Sequence, residues 1–381
     1  MSRRIAILGS TGSVGAQTLD VIRSISEKES LFEIVALSAG KNIGLLVQQI
    51  KEFSPGWVAI QDELDREKVE KHKQNLRTYS GINGLQTLLK ECNADLVVNG
   101  LVGAAGLIPT LTALELGADV ALANKESLVI GGHLVQKALQ SSQAKLIPVD
   151  SEHSAIFQLL EKKEPPEVSR ILLTASGGSL REWPLDKIDR VTPEDVLQHP
   201  TWQMGRRITV DSATLVNKAF EVIEAHWLFN LAWEKIDVVL HPQSIIHGLL
   251  EFCDGSLWAQ LGAPDMRIPI QYALTYPERK PSSFEKLDWR KLELQFSQID
   301  RKRYPAFDVV VEAGLIGGTA PAAINAADEV AVERFLSGEI PYSFISTILR
   351  TTLERHALIK NPDLAQILDA DRMAREFAHS L

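Results

Sequence analysis

Cysteine is almost missing from this chain: Cys92 and Cys253 are the only two in 381 residues, and they lie far apart. Such a pair builds neither a disulfide framework nor a cysteine-based metal site, and a reducing cytoplasm is the expected location. A surplus of basic charge is missing too. With 40 Lys and Arg against 49 Asp and Glu, the formal charge of −9 has the wrong sign for a protein that covers a nucleic-acid backbone. A small anionic ligand needs only a few local cations and stays open. No apolar run reaches membrane-spanning length, and Met1-Ser2-Arg3-Arg4 leads into a short apolar stretch instead of a long h-region, so neither a membrane protein nor a signal peptide is expected. The composition, 45% hydrophobic and 23% charged, is that of a soluble globular protein, and 381 residues exceed what one core usually supports.

What is present is a rhythm. Short apolar runs at Ile5 to Leu8, Ile34 to Leu37, Val58 to Ile60, Leu96 to Val98, Val120 to Ala123 and Leu146 to Val149 alternate with helical stretches, the pattern of parallel βαβ units. Residues 1–150 therefore predict a Rossmann-like, doubly wound sheet. From 151 to about 280, Gly- and Pro-rich loops interrupt further strands, notably Ile171 to Thr174 and Val238 to Leu240, and a central α/β domain is expected. Residues 281–310 are dense in charge with little periodicity, as in a solvated linker. Residues 311–381 complete an α-helical domain: apolar residues recur at helical spacing over Phe307 to Leu315, Ala320 to Phe335, Tyr342 to His356 and Asp363 to Phe377.

The first strand feeds Gly9-Ser10-Thr11-Gly12-Ser13-Val14-Gly15, and Leu19, Ile22 and Ile25 mark one face of the helix that follows. A glycine turn between strand and helix lets main-chain N–H groups approach a pyrophosphate, with the helix amino terminus favouring its charge; otherwise it is a mere connection. Sites for NAD carry an acidic residue about 20 positions further on. Here the second strand ends instead in Gly40-Lys41-Asn42, a cation and an amide where a 2′-phosphate would lie, which favours NADPH, although a lysine is commonly just solvated. Asn124, Lys125 and Glu126 follow a later strand and face the same crevice, or form an ion pair at a helix start.

Pro148-Val149-Asp150-Ser151-Glu152-His153 places two carboxylates at i and i+2, on one side of an extended segment, where both can grip a hard cation such as Mg²⁺ or Mn²⁺. The competing reading is a cap on the helix that follows. Val210 to Glu221 reads as strand, cap and helix, with Leu215, Val216, Ala219, Phe220 and Ile223 buried and Asn217, Lys218 and Glu221 on the opposite face. Ser212, Asn217 and Lys218 suit a phosphate, and Glu221 could join Asp150 and Glu152 at the metal, or all could be solvated surface. Thr174-Ala175-Ser176-Gly177-Gly178 is another phosphate candidate; it lacks the first glycine of a nucleophile elbow, which argues against a serine hydrolase. His199, Trp202 and Gly205 sit on a loop bounded by Pro200 and Gly205 that reads as a lid.

Together GSTGSVG, GKN, ANKESL, PVDSEHSAIFQ, TASGG, HPTWQMG, VDSATLVNKAFE and HPQSIIHG closely resemble bacterial 1-deoxy-D-xylulose 5-phosphate reductoisomerases, in the family's order along the whole chain. The resemblance implies a V-shaped subunit, a homodimer, and an NADPH- and metal-dependent enzyme of isoprenoid precursor synthesis. Its substrate would be rearranged by retro-aldol cleavage and re-addition, then reduced to 2-C-methyl-D-erythritol 4-phosphate. Asp150, Glu152 and Glu221 would hold Mg²⁺ or Mn²⁺, with Co²⁺ also compatible. Lys125, Ser151 and Glu152 would contact substrate oxygens, and Ser176, His199, Ser212, Asn217 and Lys218 would surround the phosphate. NADPH would lie along Thr11, Gly12, Ser13 and Val14, Gly40, Lys41 and Asn42, Asn124, Glu126 and Gly205, and Trp202 would close over the substrate. The catalytic set so implied is Lys125, Asp150, Glu152, His199 and Glu221. Ala175 and Ala219-Phe220 depart from the common pattern, at positions with no proposed ligand role. A metal-independent NADPH dehydrogenase of the semialdehyde or polyol type, or a non-catalytic NADPH-binding regulator, would share the nucleotide motif but have no use for the paired carboxylates.

Overall fold

Seven short strands with helices between them open the chain: β1 (Arg3–Leu8), β2 (Phe32–Ala39), β3 (Trp57–Ile60), β4 (Arg77–Ser80), β5 (Leu96–Asn99), β6 (Asp119–Leu122) and β7 (Leu146–Pro148). The structure, a computed structural model, describes residues 2–26, 29–161, 167–198, 202 and 205–381. All seven strands pair in parallel, in the order β4-β3-β2-β1-β5-β6-β7. Parallel sheets are covered on both faces, which is why β1 reads as a continuous apolar run and buries Ile5 to Leu8 completely. Strand order reverses between β1 and β5, so the loops after these two strands flank the crevice in which doubly wound sheets bind ligands. The edge strand β4 escapes the sequence reading because Arg77-Thr78-Tyr79-Ser80 contains no apolar run, with only Thr78 buried.

A second sheet follows, built of β8 (Val168–Ala175), β9 (Ile236–Leu240), β10 (Ile246–Phe252) and β11 (Leu257–Leu261) in the order β11-β10-β8-β9. Only β8 and β9 run parallel. The chain ends in the helices Pro305–Ile316, Ala320–Leu336, Phe344–Arg355 and Leu364–Ser380, close to the expected spans. Ala322, Ala323, Ala326, Ala327 and Ala331 are buried along the second of these, so its neighbours pack close to its backbone. Asp363 and Gln366 close a reciprocal capping box at the start of the last helix.

The described chain forms two compact units: residues 1–127, 133–154 and 265–285, and residues 128–132, 155–264 and 286–381. This division differs from the four segments expected from composition. Residues 265–285 return to the first unit, where the helix Arg267–Thr275 packs on the helix Ser13–Ser26 and Arg3 Nη1 donates to Leu274 O at 3.1 Å. Within the charge-rich stretch expected to be a solvated linker, Tyr304 is only 1% exposed. Among the described residues, no helix is long and apolar enough to cross a membrane.

An ion network ties the helix Arg206–Thr214 to the terminal helices in the second unit. Arg207 Nη1 reaches Glu329 at 2.9 Å and Nη2 reaches Asp328 at 3.4 Å, while Arg375 Nη2 bonds Glu329 at 2.8 Å and Asp371 at 3.3 Å. Asp328 is fully buried, and this burial pushes its carboxyl up to about 6 although Arg207 pulls against it. An aspartate in the unfolded chain titrates near ~3.9. The native state therefore binds the extra proton between these values, and the stability that Asp328 contributes falls as pH rises from about 4 to about 6. Asp328→Asn removes that dependence: its melting temperature relative to the parent should climb through this window and level off above it. A difference that stays constant from pH 4 to 7 would exclude the burial effect.

Candidate active site

The dinucleotide turn is a problem of main-chain clearance. Gly9 has φ +78°, and a Cβ there would stand 2.8 Å from Gly100 O; a Cβ on Gly15 would stand 2.3 Å from Gly9 O. Only glycine allows these approaches. Buried Ser10 fixes the turn from behind: its hydroxyl donates to Gln49 Oε1 at 2.7 Å, Gln49 Nε2 donates to Ser10 O at 2.9 Å, and Gly9 N donates to Ser38 Oγ at 2.9 Å. Thr11, Gly12, Ser13 and Val14 are left on the accessible side, at the amino terminus of a helix with no acidic residue in its first turn.

After β2, Gly40 and Lys41 line a cavity of about 570 Å³ together with Glu63 and Ser80. Glu63 is held down to about 2, first by its hydrogen bonds from Arg66 and then by Ser80. Asn42 caps the helix Ile43–Phe53, accepting from Leu45 N at 3.1 Å. Asn124 is 1% exposed and spends its side chain on the protein, donating to Gly103 O at 3.0 Å and Glu126 Oε2 at 2.9 Å and accepting from Ser127 N at 3.1 Å. Glu126 Oε1 accepts from Gly103 N at 3.1 Å. Both residues thus hold the loop after β5 in shape.

The Lys125 ammonium meets Asp150, and both side chains are largely buried. Asp150 and Glu152 are not on an extended segment, as the i, i+2 argument supposed. The helix Ser151–Leu160 begins directly after Asp150, with Ser154 N bonded to Asp150 O at 2.8 Å. Asp, Ser and Glu favour such a first turn, where main-chain N–H groups lack acceptors. Ser151 Oγ donates to Glu152 Oε2 at 2.5 Å.

In the second unit, Val210 to Glu221 also departs from the strand, cap and helix expected. The helix Arg206–Thr214 already contains Val210, Asp211 and Ser212; Leu215 then takes a left-handed conformation, φ 58°, and the helix Val216–Phe229 follows. Of this first helix, Thr209 to Thr214 are buried while Arg206 stays exposed. Lys218 and Glu221, placed opposite the apolar face, are 4% and 1% exposed and form an ion pair, and Asn217 Nδ2 donates to Glu221 Oε1 at 2.6 Å. Ser176 follows β8 in a turn where Gly177 and Gly178 have φ +82° and +68°. A Cβ on Gly178 would lie 2.6 Å from Ser212 O and Ala213 Cα, so this turn rests directly on the helix bearing Ser212. Trp202 lies 6.2 Å from the His247 ring, centroid to centroid, and Gly205 is the N-cap of Arg206–Thr214. His199 lies outside the described residues.

Comparison with known proteins decides the family. The chain matches "1-deoxy-D-xylulose 5-phosphate reductoisomerase" over residues 5–132, the C-terminal domain of that enzyme over 146–229, and "DXP reductoisomerase C-terminal domain" over 261–377. A 1-deoxy-D-xylulose 5-phosphate reductoisomerase from Pelotomaculum thermopropionicum is 49% identical over 98% of this chain and 97% of its own length. This chain belongs to the 1-deoxy-D-xylulose 5-phosphate reductoisomerase family. One from Bacillus cereus strain Q1 is 47% identical over 98% of both chains. Among solved structures, a reductoisomerase in complex with NADPH, fosmidomycin and magnesium superposes with TM-score 0.93 at 35% identity over 99% of this chain and 98% of that one. The Zymomonas mobilis reductoisomerase in complex with NADPH gives 0.92 at 37%, over 100% and 99%.

Several residues around these reductoisomerase motifs were not legible as contributors. Ser10, Ser38 and Gln49 are unremarkable in sequence and act only through the approach of β1 to β2 and to the helix Ile43–Phe53. Tyr304 and Arg181 touch the Ser176 turn, the former from more than a hundred residues away. The two departures from the family pattern, at Ala175 and Ala219-Phe220, are buried packing positions. Gly178→Ala should lower unfolding free energy by about 2 kcal/mol, for a strained φ and a main-chain collision, and raise the Michaelis constant for a phosphorylated substrate. Urea unfolding and steady-state kinetics check this; an unaltered unfolding midpoint would contradict the close approach.

Proposed function

We propose that this chain uses NADPH and a divalent cation to rearrange and reduce 1-deoxy-D-xylulose 5-phosphate to 2-C-methyl-D-erythritol 4-phosphate. The observation that carries the reading is a pair of buried lysine–carboxylate contacts, Lys125 with Asp150 and Lys218 with Glu221, each inside its own unit and each on a family motif. Charge buried at this cost needs a use or a partner. The donor set fits a hard dication, since Asp150, Glu152 and Glu221 offer only oxygen. The glycine turn fits a pyrophosphate, and exposed Lys41, with no acidic residue at the end of β2, fits a 2′-phosphate.

In this reading Asp150, Glu152 and Glu221 hold Mg²⁺ or Mn²⁺ and Thr11 to Val14 receive the dinucleotide, with Asn124 and Glu126 shaping the neighbouring loop and Gly205 serving the cofactor through its main chain. When bound, the dication supplies a Lewis acid and NADPH a hydride. Lys125 and Ser151 orient substrate oxygens by donating hydrogen bonds. Ser176, Ser212, Asn217 and Lys218, with His199, grip the phosphate, so its binding energy orients the reacting carbons and closes Trp202 over them. The first 150 residues serve the cofactor, the central segment the substrate, and the helical end braces the latter. A reducing cytoplasm suits the two free thiols.

NADPH oxidation measured with 1-deoxy-D-xylulose 5-phosphate, with and without chelator, tests the whole reading. Glu221→Gln should cut turnover by at least about 100-fold, as loss of groups that tune a metal site does, while NADPH affinity changes little. Activity indifferent to chelator would refute the metal assignment.

We propose further that the working form is a homodimer. In β11, the edge of its sheet, Leu257, Trp258 and Leu261 are 57%, 45% and 40% exposed, and an open apolar edge invites a second copy. Trp258→Glu should move the mass measured by light scattering from dimer toward monomer. A monomeric parent protein would dispose of this proposal.

A further inference from the structure

We propose that Tyr304 is a positioning residue for the phosphate end of the substrate, acting through the Gly177–Gly178 peptide on the Ser176 hydroxyl. The inference rests on the reading of Ser176 as a phosphate ligand. Tyr304 is the N-cap of the helix Pro305–Ile316 and one of the largest fully buried side chains in the protein. Its hydroxyl donates to Gly177 O at 2.8 Å. On the other side of the same peptide plane, Gly178 N donates to Ser176 Oγ at 3.2 Å. Because a trans peptide is rigid and its C=O and N–H point in opposite directions, the two bonds lock one plane from both ends.

This has an effect on Ser176 itself. A hydroxyl oxygen that accepts from Gly178 N–H has the direction of its own proton restricted to its remaining sides. A donor on the carbonyl of a peptide also polarises its N–H, so the Tyr304 bond strengthens the one to Ser176. Burial raises the Tyr304 phenol to about 12, which keeps it a donor across the working pH range. Both glycines of the turn lack side chains and sit at positive φ. Arg181 Nη1 steadies the preceding carbonyl, Ser176 O, at 3.2 Å, and Arg303, beside Tyr304, bonds Leu180 O at 2.9 Å and Trp183 O at 2.6 Å. Gly177 O is thus engaged from behind by a segment whose composition suggested solvent, and Ser176 O by Arg181.

The test compares the parent enzyme, Tyr304→Phe, Ser176→Ala and the double variant by steady-state kinetics, with inorganic phosphate as a competitive inhibitor. One hydrogen bond of about 1 kcal/mol corresponds to about fivefold. Tyr304→Phe should raise the Michaelis constant for the phosphorylated substrate and the inhibition constant of phosphate by about that factor, leaving kcat and the Michaelis constant for NADPH within about twofold. Added to Ser176→Ala it should change neither constant further. Independent, multiplying effects of the two substitutions, or a Tyr304→Phe enzyme with unchanged phosphate inhibition, overturn the inference alone. A Ser176→Ala enzyme with unchanged phosphate inhibition overturns the phosphate reading and this inference with it. Should Tyr304→Phe fold poorly, 3-fluorotyrosine at position 304 keeps the hydroxyl and makes it a stronger donor. Phosphate inhibition should then tighten, and weaker or unaltered inhibition counts against the role.

Discussion

A charge can be buried only against its opposite, and the interior of this protein is organised around that requirement. Glu221 at 1% exposure is met by the Lys218 ammonium and the Asn217 amide from its own helix. Asp150 is met by Lys125 from another loop of its own unit. Neither arrangement is the cheapest way to fill space, since apolar residues of similar volume usually cost less. In both cases the carboxylate is held beside an ammonium instead of being left without a counter-charge. The Arg207 network repeats the principle, and there burial raises the Asp328 carboxyl to about 6, so a proton relieves the imbalance of charge only below that pH.

A second constraint is clearance between main chains. At the dinucleotide turn, Gly9 and Gly15 let strand, loop and helix meet with no side chain between them; at the Ser176 turn, Gly178 does the same against Ser212 and Ala213. In both places the turn is held by hydrogen bonds from residues packed behind it. Ser10 with Gln49 supports the first and Tyr304 with Arg181 the second. Such turns act as rigid platforms although they consist largely of glycine and serine.

The parts that could be read in advance share one property: their signal is local. Six of the seven strands of the first sheet, edge strand β7 included, announced themselves as apolar runs because parallel strands are covered on both faces, and β4 did not because Arg77-Thr78-Tyr79-Ser80 contains no apolar run. The glycine turn was legible from its place between strand and helix. Asp150 and Glu152 were recognised as a pair, yet on the wrong local geometry, because an i, i+2 argument holds for a strand and these residues begin a helix. Val210 to Ser212 were read as a strand because the polar helix that holds them, Arg206-Arg207-Ile208-Thr209-Val210-Asp211-Ser212-Ala213-Thr214, offers too few apolar residues for a helical period to show. The charged stretch around Tyr304 misled in the opposite sense, since its solvated majority hid one buried ring.

The amino-acid sequence by itself determined the doubly wound nucleotide sheet, the glycine turn, the helical end of the chain and, through its motifs, the family and the chemical types at the site. Those properties depend on residues close together along the chain, where steric and periodic rules apply directly. Tertiary structure alone decided which cation faces which carboxylate, that Lys218 and Glu221 are interior groups, that the Ser176 turn lies on the helix of Ser212, and that Tyr304 stands behind it. Each of these is a contact between groups whose separation in space is set by the packing of whole elements, and no pattern of neighbouring residues encodes it.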